Sequence, residues 1–250
     1  ILAVIAVPMG CGRSAKEDTI KLGVIPVEDN FPFFIAEQEN LFSKAGLNVE
    51  LVVFNSARDR DIALQSKNID GEVADIVAAV LMFKSGTPVK IVSLTMGSTP
   101  EEGRFALLAA PGSGIKEAKQ LSGASIGISE NTIIEYVTDG LLKEAGLEPG
   151  NVKKIAIPQI PERLQLLLSD KIDAALLPDP LASLAEQKGA LAVLDDTKLE
   201  KNLSQVVLVF REEAIKQKAK QIGKLLQVYC EAAKLAGDNP DAYRELFIDK

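Results

Sequence analysis

The sequence predicts an α/β protein of two lobes, each a mostly parallel sheet flanked by helices, with the lobes joined by a two-strand hinge. Three observations lead to this fold class. Strand-like and helix-like runs alternate along the chain, the pattern of parallel sheets covered by helices. The alternation occurs twice, with the same landmarks in the same order. Two further strand-like segments fit neither repeat and bracket the second one.

The repetition is visible residue by residue. Leu22-Gly23-Val24 returns in kind as Ile126-Gly127-Ile128, and Ala45-Gly46-Leu47 returns as Ala145-Gly146-Leu147. Ser66-Lys67-Asn68-Ile69-Asp70 returns as Ser169-Asp170-Lys171-Ile172-Asp173, and Gly86 and Gly189 each close the helix that follows. Each tripeptide alone is common, but their shared order and near-equal spacing indicate two related lobes.

In the first half, the β-branched apolar run Ile20–Pro26 reads as a buried strand. Phe33–Lys44 has apolar residues at helical spacing and stops at Gly46, a fitting cap. A strand over Val49–Phe54 precedes a helix over Arg58–Ser66, where Ser56 and Asp59 have capping-box spacing. A short strand near Ile69, a helix over Ile76–Lys84 and a strand over Val89–Leu94 complete this half. The second half has strands over Ser125–Ile128, Val152–Ile157 and Ile172–Leu177. Its helices cover Thr132–Lys143, Glu162–Ser169 and Leu181–Lys188.

The bracketing segments, Arg104–Ala109 and Ser204–Phe210, are placed as crossings between lobes, a hinge that permits rigid closure. Lobe one then comprises residues 19–105 and 204–250, and lobe two residues 106–203. The helical tail from Glu212 packs back on lobe one. Along that tail Cys230 shares a stripe with Ile222, Leu225, Leu226, Tyr229 and Ala233, so a buried thiol is expected.

Composition removes several functions. A net charge of −7 without any long Lys/Arg run argues against a nucleic-acid surface. The chain has no histidine, hence neither the commonest general base nor the commonest metal ligand. Gly112-Ser113-Gly114 lacks the spacing and lysine of a phosphate loop and reads as a turn; Asp195-Asp196 reads as a loop charge cluster. No cofactor and no metal are expected.

Residues 1–18 read as a signal remnant, lipobox and tether. Ile1–Pro8 carries no polar side chain, is too short for a bilayer span of about 20 residues, and fits the apolar part of a secretory signal. Gly10-Cys11 ends it and a polar stretch follows, which resembles a lipobox whose thiol takes a diacylglyceryl group. Pro8 and Met9 depart from the usual Leu and Ala/Ser of that motif. Anchoring would draw on about 0.8 kcal/mol per buried methylene.

The segments FFIAEQENLFSKAGLNVEL, ALQSKNIDGEVAD, GISENTIIEYVTDGLLKEAGL and LLLSDKIDAALLPDPLASLAEQKG resemble the type II periplasmic binding proteins of ABC importers. They are most similar to the branch with sulfonate, taurine and thiamine-pyrimidine-precursor binders. The resemblance implies a monomeric extracytoplasmic lipoprotein that hands a small molecule to permease subunits and performs no chemistry. Members of the family usually continue for several more helices, so it also implies a chain that stops short of the natural carboxyl terminus. Enzymes on this scaffold, among them a pyrimidine synthase that consumes its own histidine, and solute sensors for membrane receptors are the competing classes.

In open α/β sheets a ligand sits beyond the carboxyl ends of strands. Those positions are Glu28, Asp29, Asn30, Phe31, Ser56, Ala57 and Asp75 in lobe one, and Ser129, Glu130, Asn131, Thr132, Gln159 and Asp179 in lobe two. Ser, Asn and Asp also serve as caps and turn residues, so each has a capping reading beside the binding one. Phe31 and Tyr136 are candidates to stack on a flat ligand, although Tyr136, mid-helix, reads rather as core. With Arg58 and Arg60 the only bases placed nearby, the carboxylates favour a neutral or cationic heterocycle or amine over a sulfonate. Cys11→Ser is expected to release the protein from membranes of its native host; unchanged membrane retention, followed by fractionation, would refute the anchor.

Overall fold

A computed structural model describes residues 19–99 and 101–249. Cys11, and with it the expected anchor and tether, lies outside the described residues. Among the described residues no helix is long and apolar enough to cross a membrane.

The chain runs β1 (Ile20–Val24), α1 (Phe31–Gln38), α2 (Leu41–Lys44), β2 (Val49–Val53), α3 (Ala57–Gln65), β3 (Gly71–Asp75), α4 (Ile76–Lys84) and β4 (Val89–Met96). Then come β5 (Phe105–Ala109), β6 (Ser125–Ile128), α5 (Ile133–Glu144), β7 (Lys153–Ala156), α6 (Ile160–Leu168), β8 (Ala174–Pro178), α7 (Leu181–Gln187) and β9 (Leu191–Asp195). β10 (Val206–Arg211), α8 (Glu212–Asp238) and α9 (Arg244–Asp249) close it. Two five-stranded sheets result, ordered β2-β1-β3-β10-β4 and β7-β6-β8-β5-β9.

In each sheet the strand contributed after a crossing is the antiparallel one. β10 runs antiparallel to β3 and β4, and β5 antiparallel to β8 and β9, whereas β1 with its neighbours and β6 with its neighbours pair in parallel. The bracketing strands are therefore built into the sheet they enter, and residues 97–104 and 196–205 make the crossings themselves. The two crossings are tied together: Asn202 donates to the carbonyls of Gly97 and Thr99 at 3.0 and 3.1 Å. Asp196 accepts from the Phe105 N–H at 2.8 Å and from Ser204 Oγ at 2.6 Å.

The duplicated landmarks have duplicated roles. Asp70 accepts from the Lys21 N–H at 2.9 Å, and Asp173 from the Ser125 N–H at 2.7 Å, each pinning the start of its lobe's first parallel strand. Ser66 and Ser169 donate back to the carbonyls four residues earlier at 2.7 and 2.8 Å, closing α3 and α6. Gly23 and Gly127 are small because two side chains cross them. A Cβ on Gly23 would stand 2.6 Å from Ile69 Cδ1 and 3.1 Å from Arg60 Cγ; on Gly127 it would stand 2.7 Å from Ile172 Cδ1 and 3.2 Å from Arg163 Cγ.

Several expectations shift. The single helix over Phe33–Lys44 divides, because Asn40 takes a left-handed conformation (φ 58°) between α1 and α2, which Asn tolerates. The strand expected near Ile69 starts at Gly71, and β9, a counterpart of β4, appears where no strand was assigned. Cys230 is exposed: α8 turns Ile222, Leu225, Val228, Tyr229 and Ala232 inward, and Cys230 falls beside that stripe. Those residues pack on Phe33 and Phe34 of α1, with the Phe33 and Tyr229 rings 4.9 Å apart, so the tail completes the core of lobe one.

Candidate functional site

The carboxyl ends of β1 and β3 in the first sheet, and of β6, β7 and β8 in the second, converge on one cleft. Its lobe-one wall includes Ile25, Asp29, Asn30, Ala57, Arg60 and Asp75; its lobe-two wall includes Ser129, Ile133, Pro158, Ile160, Arg163 and Asp179. Glu28 and Arg104 border the same space. The walls touch directly: Ile25, Val27, Phe54 and Ala57 of lobe one pack against the lobe-two core that includes Ile157 and Ile160. Gln159 Nε2 donates to Asp59 Oδ2 across the lobes at 2.6 Å, and the Ile160 N–H donates to the Asn55 carbonyl at 3.1 Å.

Of the residues expected at the site, Asp29, Asn30, Ala57, Asp75, Ser129 and Asp179 meet here, together with Glu28. Asn30 is buried and fixed on both sides, accepting from the Ile25 N–H at 3.2 Å and donating to Asp29 Oδ2 at 2.8 Å. Asp75 caps α4 by accepting from the Ala78 N–H at 2.7 Å. Asp179 accepts from both the N–H and the hydroxyl of Ser183, at 2.9 and 2.8 Å. Ser129 is 2 % exposed, and its Oγ has no hydrogen-bond partner among the described residues.

The other expected residues lie outside the cleft wall, each for a local reason. Ser56 is a buried cap of α3, exchanging bonds with the N–H and carboxylate of Asp59. Thr132 caps α5 by accepting from the Ile134 N–H and donating to the Ser129 carbonyl. Glu130 and Asn131 are exposed, since the turn after β6 puts Asn131 at φ 57° and ties its N–H to Glu135 Oε2. Gln159 is engaged with Asp59. Phe31 packs edge-on against Phe247 with ring centroids 4.7 Å apart, on the side of lobe one facing its tail. Tyr136 is half exposed rather than core.

The charge inventory also changes. Arg58 is exposed, but Arg60 lies beneath the lobe-one wall, and Arg104 and Arg163, neither of them anticipated, border the cleft. Arg104 is paired with Asp195 at 2.7 Å and Glu186 at 2.8 Å, and lies 3.7 Å from Asp179. Asp195 and Asp196 are thus a pairing element and a crossing tie. Arg163 had a legible signal: it occupies the inward stripe of α6 with Ile160 and Leu167, where a charge is out of place. It also repeats Arg60 in register with Ile69 and Ile172.

Arg60 donates to Asp61 Oδ1 from Nε and Nη2, to the Val73 carbonyl from Nη1 at 2.6 Å, and lies 3.5 Å from Glu72. Burial opposes its charge, but Asp61, Glu72 and Asp75 outweigh burial and hold its pKa above the ordinary value. Arg163 donates to the Leu176 and Ile157 carbonyls at 2.9 and 2.7 Å and pairs with no carboxylate among the described residues; burial pulls its pKa down to about 10. On the lobe-one wall, burial pushes Asp29 and Asp75 up to about 6 each, against the pull of Arg60.

A family model described as the NMT1-like family matches residues 13–247. A protein of Brachyspira hyodysenteriae (strain ATCC 49526 / WA1), assigned by name as the periplasmic binding protein of an ABC transporter, is 25% identical over 247 residues. That match covers 93% of this chain and 69% of the other. Among solved structures, the alkanesulfonate-binding protein SsuA of Xanthomonas axonopodis pv. citri bound to MOPS superposes with a TM-score of 0.82 at 14% identity, over 93% of this chain and 78% of that one. The aliphatic sulphonate-binding protein SsuA of Escherichia coli gives 0.75 at 17% identity with the same coverage. These likenesses carry the fold, the two-lobed architecture of type II periplasmic binding proteins.

The raised pKa of Asp29 has a testable consequence. Its folded-state value exceeds its unfolded one, so the folded state holds the extra proton, and this contribution to stability is lost as pH rises through about 6. Asp29→Asn is expected to stabilise the unliganded protein by about 1–2 kcal/mol near pH 7.5 and to converge with the parent near pH 4. Thermal midpoints across that range check it; equal pH slopes for both proteins would refute the assignment.

Proposed function

The chain belongs to the NMT1-like family, and from that membership and the cleft we propose an extracytoplasmic solute-binding protein that captures a small molecule between its lobes for an ABC importer. The observation that carries the reading is the convergence of both sheets' strand ends on one polar-edged cleft. A cleft with apolar lining and a few fixed polar groups suits a small ligand. The named relative and the sulfonate-binding neighbours support transport as the context.

The partners in this reading are a small solute, permease subunits and, through Cys11, the membrane. For the ligand, Asp29 and Asp75 supply acceptors on the lobe-one wall, which favours a group with N–H donors, such as an amine or amino-substituted heterocycle. In this reading lobe two, residues 106–203, moves as one body about the tied crossings, and opening of the cleft separates it from Ile25, Val27, Phe54 and Ala57.

Thermal-shift screening of small metabolites tests capture, because a ligand that binds the folded state alone stabilises it by about 2.7 kcal/mol at a concentration of 100 Kd. Solution scattering on the hit is then expected to show a smaller radius of gyration at saturation. A clear thermal response without compaction would contradict the closing clamp, and no response to any metabolite would count against solute capture.

A further inference from the structure

Burying a guanidinium is costly unless it is paired, and the two repeats treat the same arginine differently. Arg60 and Arg163 both reach past a strand glycine, Gly23 or Gly127, and both donate to a carbonyl of the third parallel strand, Val73 or Leu176. The three carboxylates that compensate Arg60 are Asp61, Glu72 and Asp75. In the register of the repeat, lobe two has Leu164, Ala175 and Pro178 in their places. Arg163 is fully buried, and among the described residues its Nη2 has no partner.

A second orphan stands on the same wall. Ser129 follows β6 where Ile25 follows β1, so lobe two has a hydroxyl in the place of an aliphatic side chain. Its Oγ is likewise buried and without a partner. Asp179, the one lobe-two carboxylate bordering the cleft among the described residues, is engaged by Ser183 and lies 3.7 Å from Arg104. The cleft therefore has acceptors on its lobe-one wall and unanswered donors on its lobe-two wall.

Resting on the solute-binding reading, we propose that Arg163 Nη2 and Ser129 Oγ form a subsite for an oxyanion. The ligand class is then a small zwitterion, with its ammonium or amidine end toward Asp29 and Asp75 and its carboxylate or sulfonate end toward Arg163 and Ser129. This refines the preference for amines: the carboxylates select one end of the molecule, and the second end answers the unpaired guanidinium. Arg60 shows that the strut role of such an arginine does not require an open nitrogen, because its own fork is filled by Asp61 and Val73.

Calorimetry and thermal shift with matched probes at constant ionic strength test the assignment. The zwitterions are β-alanine, 4-aminobutyrate, taurine and methionine; the half-molecules are propionate, methanesulfonate and propylamine. At least one zwitterion is expected to bind on the order of 100-fold more tightly than its halves, with Arg163→Met losing a similar factor. Because Arg163→Met removes two carbonyl bonds and can impair folding, Ser129→Ala is the second variant. It is expected to weaken the zwitterion by about 3–10-fold while leaving the unliganded midpoint unchanged or raised, since it removes a buried hydroxyl that has no partner among the described residues. An amine bound as tightly as the zwitterion, or a ligand held equally by parent, R163M and S129A, overturns the subsite and leaves solute capture standing. No response of the parent to any zwitterion overturns the ligand class, and the wider metabolite panel then decides separately on solute capture.

Discussion

A guanidinium sealed beneath a sheet is costly unless something nearby answers its charge, and this requirement organises the molecule around its cleft. In lobe one the answer is internal. Asp61 takes two of the nitrogens of Arg60, and Glu72 and Asp75 add to the negative field from β3. Arg60 in turn keeps the carboxyls of Asp29 and Asp75 from rising further, since it attracts both against their desolvation. In lobe two the backbone alone holds Arg163, through two carbonyls. Carbonyl dipoles orient a guanidinium, but they do not cancel its charge, and burial lowers its pKa accordingly.

The scaffold delivers these groups by repetition. Each lobe pins its first strand with an aspartate from the same five-residue landmark, ends the preceding helix with a serine bonded back along it, and keeps a glycine where an arginine and an isoleucine cross the sheet. The strand ends of both lobes face one another because each crossing returns the chain into the middle of a sheet, between β3 and β4 or between β8 and β9. The bonds from Asn202 to the Gly97 and Thr99 carbonyls hold the two crossings side by side. Function then depends on what the duplicated frame carries at its non-duplicated positions, and the pairs Glu72/Ala175, Asp75/Pro178 and Ile25/Ser129 are where the two walls acquire opposite character.

Much of this was legible in the sequence, for identifiable reasons. Helical periodicity located α4 and α7 closely, since Gly86 and Gly189 stop them in left-handed turns (φ 84° and 97°). Loops at strand ends could be listed from the alternation alone, which is why Asp29, Asn30, Asp75, Ser129 and Asp179 were reachable. Pairing between distant strands leaves no periodic trace, so the insertion of β5 and β10 into the sheets was hidden, as was the edge strand β9. Loop geometry was hidden too: the left-handed Asn131 carries Glu130 and itself to solvent, and Gln159 finds Asp59. Arg163 was within reach. Its place on an apolar stripe and its register with Arg60 both mark it, and only reading the repeats against each other reveals that its carboxylates are missing.

The most direct test of a solute clamped between an acidic and a cationic wall is a crystal structure of the protein with a bound solute, either one retained from its native host or one identified by screening. A solute is expected between the sheets, with a nitrogen facing Asp29 or Asp75 and an oxygen within hydrogen-bond reach of Arg163 Nη2. A solute bound outside this cleft, or inside it with Arg163 and Ser129 still unpartnered, would contradict that expectation.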